Sequence, residues 1–181
     1  MLFRFLIGLA AVVPLAWADA RGCRCDISKP ETMEARECGL CREAENQARD
    51  TQIFFLKDTN PRKPNRWLAL PRSHGQGAHE LADMTPEQRT ALWTAAIAKA
   101  VELWGDKWGL AFNGVESRTQ CHAHIHIGRL LEGIETRDFV VVDGPAQIPA
   151  PRDGTGVWVH PDGNKLHVHL GEIITETVLL R

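Results

Sequence analysis

The segment Cys121-His122-Ala123-His124-Ile125-His126-Ile127 alternates three histidines with small or apolar residues. In an extended strand, successive side chains point to opposite faces. His122, His124 and His126 then share one face, with roughly 6.7 Å between i and i+2 positions, while Ala123, Ile125 and Ile127 line the other. Imidazole, with an unperturbed pKa of about 6.5, keeps a free lone pair at neutral pH. Toward phosphorus it is a nucleophile, and the phospho-histidine it forms splits one difficult displacement into two easier ones. For that, one ring nitrogen must be held by an acceptor so that the other faces the phosphate. The same row of imidazoles is also a metal-binding pattern, so the spacing alone leaves both chemistries open.

Other residues could join either chemistry. Cys23, Cys25, Cys38 and Cys41 precede the first strand. In an oxidising compartment four cysteines form disulfides, with three pairings available. Cys38-Gly39-Leu40-Cys41 is also a knuckle that can place two thiolates on one tetrahedral ion. Cys121, opposite the triad face, reads as a buried small apolar residue. The loop Gly114–Gln120 offers a cation (Arg118), a hydroxyl (Thr119) and an amide (Gln120), which could contact phosphate or simply solvate a hairpin. Asp58 lies in the turn Asp58-Thr59-Asn60-Pro61, where aspartate is also a plain turn former. Arg62 and Lys63 read as a solvated face. His160, His167 and His169 could form a second imidazole cluster with metal affinity, although on a hairpin they read first as surface residues.

The elements that must position these groups are legible in outline. Thr51–Lys57 and Trp67–Leu70 read as strands around the turn at Asp58. Thr85-Pro86-Glu87-Gln88 is a helix start with cap, first-turn proline and capping box, and the helix runs to about Trp104 before Gly105. Trp93, Trp104 and Trp108 read as packing residues. Gly109–Phe112 and Cys121–Ile127 read as the strands carrying Asn113 and the triad. Phe139–Val142 is a further strand, and Val157–His160 and Leu166–Leu170 form a hairpin around Pro161–Asn164. Met1–Ala20 reads as a signal peptide: Arg4, an apolar run from Phe5 to Trp17, and Ala18-Asp19-Ala20 as cleavage site. The mature chain is then exported, to the periplasm or outside the cell; an uncleaved leader would instead anchor it to the membrane. The chain has 181 residues, with 44% hydrophobic and 24% charged content, and is large enough for a real core. A net charge of -2 gives no electrostatic footprint for a nucleic-acid polymer, although a single nucleotide could bind locally.

In order and spacing, Asp58-x-x-Pro61, Pro71-x-x-His74, Asn113 and His122-x-His124-x-His126 together resemble the histidine triad superfamily of nucleotide hydrolases and transferases, over about residues 36–132. Arg118–Ile127 is also similar to the triad segment of bacterial CDP-diacylglycerol pyrophosphatases, where the position of Cys121 is usually polar and that of Ala123 larger. The resemblance implies an α+β fold: an antiparallel sheet of about five strands with a long packed helix. A leader (1–20), a cysteine-containing segment (21–35) and a β-rich C-terminal extension (133–181) would flank it. It implies that His124 is the nucleophile at a nucleotide α-phosphate and that His126 donates to the phosphate or leaving group. His122 would do likewise, or complete a structural zinc with Cys38, Cys41 and His74. Asp58 would accept from ribose hydroxyls, and Asn113, Thr119 and Gln120 would hold the phosphate. No cofactor is then required for catalysis. The substrate would be a nucleotide or a nucleotide-linked, including lipid-linked, small molecule. Many relatives are homodimers. Two alternatives stand beside this expectation: a CDP-diacylglycerol pyrophosphatase, and a non-enzymatic periplasmic metal-binding protein using the triad with His160, His167 and His169.

Overall fold

The computed structural model describes residues 20–73 and 80–181. Most of the expected leader, and His74, lie outside the described residues. The main elements are α1 (Pro30–Met33), α2 (Gly39–Glu45), β1 (Ile53–Lys57), β2 (Trp67–Pro71), α3 (Pro86–Trp104), β3 (Trp108–Phe112), β4 (Ile125–Arg129), β5 (Val140–Val142), β6 (Val157–Asp162) and β7 (Lys165–Leu170).

Helix α3 forms where its signals predict. Thr85 Oγ1 accepts from the Gln88 amide at 3.3 Å, and Gln88 Oε1 accepts from the Thr85 amide at 2.9 Å. Each end of this box satisfies a backbone donor that the first turn cannot. Gly105 ends the helix with φ of 63°, a conformation cheap only for glycine. Leu92, Trp93, Ala96 and Ala100 form its buried stripe. They pack on Leu110, Phe112, Ile125, Ile127, Val157, Val159 and Val168 from four neighbouring strands. Each large apolar side chain fully buried there contributes about 2 kcal/mol.

The strands form one antiparallel sheet of seven, in the order β1-β2-β4-β3-β6-β7-β5. The expectation was about five strands plus an extension. The C-terminal residues instead continue the same sheet, because β6 pairs with β3 from Leu110↔Val159 to Phe112↔Val157. The reason is visible in β3, whose five residues Trp-Gly-Leu-Ala-Phe are all buried. Such a strand is central, and it needs a partner on each edge. The β6–β7 hairpin turns over Gly163-Asn164 with Gly163 at φ 59°.

A second difference concerns the triad segment. Only Ile125–Arg129 is strand, so His122 and His124 precede it and only His126 belongs to the ladder. The residues before β4 are drawn elsewhere: the Cys121 amide donates to the Glu37 carbonyl at 2.9 Å, and Cys121 is bonded to Cys23.

Pairing across the sheet places Leu68, His126, Ala111, Trp158 and His169 in one cross-strand row. This row lies on the face away from α3. The C-terminal segment crosses that face. Gly109 and Gly128 pair across β3 and β4, and Leu179 fills the space their missing side chains leave. A Cβ on Gly109 would lie 2.6 Å from Leu179 Cδ2. Buried Arg66 fixes the crossing by donating to the carbonyls of Glu176, Leu179 and Leu180.

Candidate active site

One cleft of about 770 Å³ gathers most of the expected site residues. Asp58, Asn113, Thr119, Gln120, His124 and His126 all line it. Its walls come from the start of α2, the turn after β1, the loop before β4, and Glu176 from the C-terminal crossing.

His124 is 5% exposed, and its Nδ1–H donates to the His122 carbonyl at 2.7 Å. A carbonyl can only accept, so the tautomer is fixed and Nε2 keeps the lone pair. Burial, reinforced by neighbouring His126, pushes the His124 pKa down to about 3. Burial also pushes His126 down to about 3, with Lys63 and Arg66 adding to the effect. Both rings are therefore neutral at neutral pH. They meet edge to face with centroids 4.9 Å apart. His126 Nδ1 faces Glu176 Oε2 at 3.5 Å.

Sequence reasoning did not single out Glu176. Its carboxylate also pairs with Lys63 at 2.5 Å and Arg66 at 2.9 Å, so Lys63 belongs to the cleft rather than to a solvated face. The only sequence signal was a carboxylate in an apolar C-terminal run, too weak to separate it from a surface residue.

Several expected site residues already have partners within the fold. Gln120 Oε1 accepts from the Leu40 amide and Nε2 donates to the Arg36 carbonyl, both at 3.0 Å. Its amide fastens α2 to the loop. Asn113 Oδ1 accepts from the Thr175 amide, the Thr175 hydroxyl and the Glu176 amide, so it holds the segment that delivers Glu176. Arg118 is buried against Glu80 and over the Phe112 ring. Asp58 Oδ1 accepts from the Asn60 amide at 2.9 Å, forming a turn while the side chain borders the cleft. His122 is fully buried and does not line the cleft; its Nε2–H donates to the Pro71 carbonyl at 2.6 Å. Its backbone carbonyl, not its ring, serves His124.

The cysteines do not assemble the expected zinc set. Cys25 is bonded to Cys38 and Cys23 to Cys121. Cys38 then has no thiolate to offer. Cys41 is a buried free thiol whose pKa burial pushes up to about 11. A neutral thiol and a disulfide sulfur do not fit a Cys2His2 site, and His74 lies outside the described residues. Cys121 is buried as expected, but as a half-cystine rather than an apolar filler. The sulfurs of Cys25, Cys38 and Cys121 converge, but all three are in disulfides; the ligating atoms of Glu135, His160 and His169 also converge. The latter histidines are 5% and 1% exposed, so the hairpin cluster is buried rather than superficial.

No protein-family model matches the chain, and no curated protein matches it. Among the described residues no helix is long and apolar enough to cross a membrane.

Proposed function

We propose that the protein is an exported nucleotidyl hydrolase or transferase of the histidine triad type, with His124 as nucleophile. The observation that carries this reading is the fixed tautomer of His124. A neutral, buried imidazole has its Nδ1–H tied to a backbone carbonyl at 2.7 Å and lines the cleft bordered by Asp58, Thr119 and His126. The cleft can hold a nucleotide, and cationic Arg36, Arg42, Lys57 and Lys63 on its wall favour an anionic ligand.

In this mechanism Nε2 of His124 attacks the α-phosphorus, forming a P–N bond. The bond from phosphorus to the leaving group breaks, and the leaving group departs with its electron pair and takes a proton from solvent. Water then attacks the same phosphorus and breaks the P–N bond. Nucleoside monophosphate leaves, the water's proton passes to solvent, and His124 returns neutral. His126 lies one ring away and can donate to a non-bridging oxygen as charge develops. Asp58 would accept from ribose hydroxyls, and Thr119 would donate to the phosphate. Glu176, with Lys63, sets the charge beside His126.

Two disulfides support export, since such bonds persist in oxidising compartments. The leaving group is open between a phosphate ester, an amine and a lipid phosphate. The test is nucleoside monophosphate release from adenosine phosphoramidate, diadenosine polyphosphates and CDP-diacylglycerol. Turnover of one substrate by wild type and not by His124→Ala supports the reading and chooses the leaving group. Turnover that survives the substitution overturns it.

A further inference from the structure

At the other end of the sheet, β6, β7 and the segment before β5 bring a second set of ligating atoms together. His160 Nε2 and His169 Nε2 face each other at 3.3 Å, and Glu135 Oε1 lies 3.6 Å from His160 Nε2. Two nitrogens bound tetrahedrally to one zinc, each at about 2.0–2.1 Å, are ~3.3 Å apart. The observed spacing is therefore that of a tetrahedron's edge.

Proton placement makes the arrangement more specific. The His160 Nδ1–H donates to the Pro161 carbonyl at 3.1 Å, which leaves Nε2 with a lone pair. The His169 Nδ1 faces Thr136 Oγ1 at 3.2 Å, and the Asp138 carbonyl also accepts from this ring. With its proton on Nδ1, its Nε2 is a lone-pair atom too. Without an ion the two Nε2 atoms can share one N–H···N hydrogen bond; with both Nδ1 atoms protonated, their lone pairs converge on a point that a cation can occupy.

The surroundings hold these ligands in place. Trp158 stacks on His169 with centroids 3.5 Å apart and rings 2° from parallel. His167 Nδ1 is 2.5 Å from Glu135 Oε1, and His167 Nε2 is 3.2 Å from Asp162 Oδ2. Phe139 stacks on His167 at 4.0 Å. His167 thus orients the Glu135 carboxylate, as outer-shell groups do at metal centres. The Glu135 side chain is 45% exposed, so a water can take a fourth position.

We propose that Glu135, His160 and His169 bind one divalent transition-metal ion, with zinc the best match to the spacing and donor set. The site is three strand spacings from His126 along the cross-strand row, roughly 14 Å. At that distance the ion does not touch the phosphorus chemistry. It pins the segment around Glu135 and Thr136 to the β6–β7 hairpin. The proposal is independent of the role given to His124.

The experiment uses the purified mature chain with its disulfides intact. After chelator treatment and buffer exchange, zinc is titrated against a chromophoric competitor, and cobalt(II) is added in parallel as a spectroscopic probe. The expected result is one tight equivalent of zinc and the intense visible bands of four-coordinate cobalt. Glu135→Gln, at a half-exposed position that keeps the fold, weakens binding at least about tenfold. His169→Gln abolishes it, with the fold checked by circular dichroism, and His124→Ala leaves it unchanged. Failure of wild type to bind zinc or cobalt overturns the proposal. So does one bound equivalent that neither Glu135→Gln nor His169→Gln alters, which would place the ion elsewhere.

Discussion

His124 and His126 titrate well below an ordinary histidine, and this has two consequences. The groups facing them are Lys63 and Arg66 on the turn side, Arg118 with Glu80 on the loop side, and Glu176 from the C-terminal crossing. His124, the proposed nucleophile, stays neutral in acid, so on that proposal kcat/KM shows no histidine limb near about pH 6.5. A pH–rate profile measures this, and a fall centred there contradicts it. Stability behaves differently. The unfolded chain takes up protons at both histidines below about pH 6.5, while the folded chain holds them off until about pH 3. Folded stability is therefore lost as pH falls through that window, by up to about 1.4 kcal/mol per pH unit for each ring. Urea denaturation at several pH values checks it, with His126→Gln flattening the slope. Glu176→Ala leaves buried Arg66 without its charge partner and costs about 3 kcal/mol, read from the same denaturation curves.

At the scale of elements, the C-terminal crossing and the N-terminal cysteine segment build the cleft around the sheet. The crossing depends on the glycine pair of β3 and β4. Gly109→Ala drives a methyl into Leu179 and Leu130, and destabilises by about 1–3 kcal/mol. Because the same crossing carries Glu176, this variant also loses activity beyond its loss of stability, which assays well below its melting temperature detect. The cysteine segment is fastened by Cys25–Cys38 and by Cys23–Cys121, the latter spanning 98 residues. A cross-link over a loop of that length stabilises by about 4–5 kcal/mol in the chain-entropy account. Reduction is expected to lower the melting temperature and to loosen α2 from Gln120, raising KM more than it lowers kcat. The sequence made α3 plain, because its capping box and terminal glycine are local signals. Partners set by long-range contacts were not plain: Cys121 joins Cys23, Gln120 ties to Leu40, and Asn113 holds Thr175. No local pattern encodes such pairings.

Across the whole molecule, one sheet carries two histidine groups on the same face, separated by Ala111 and Trp158. Alternation made the sharing of a face readable in the β6–β7 hairpin but not in the triad segment, where only His126 lies in the strand, and the antiparallel α+β class came from the resemblance. The extent of the sheet was hidden, since strand adjacency is a property of β3's two buried edges rather than of any one segment. The gathering of His124, His126, Asp58 and Thr119 around one cleft matches their order in the chain. Glu176 was out of reach because its relation to His126 depends on a crossing that local pattern does not mark.

The most direct test of the central claim is capture of the covalent intermediate. The mature chain is mixed with a turned-over nucleotide substrate, quenched rapidly under conditions that preserve phosphoramidates, and mapped by peptide mass spectrometry. The account predicts a nucleoside monophosphate adduct on His124, lost in His124→Ala and kept in His122→Gln. Turnover with no adduct on any residue of the triad, or an adduct on a different residue, would contradict it.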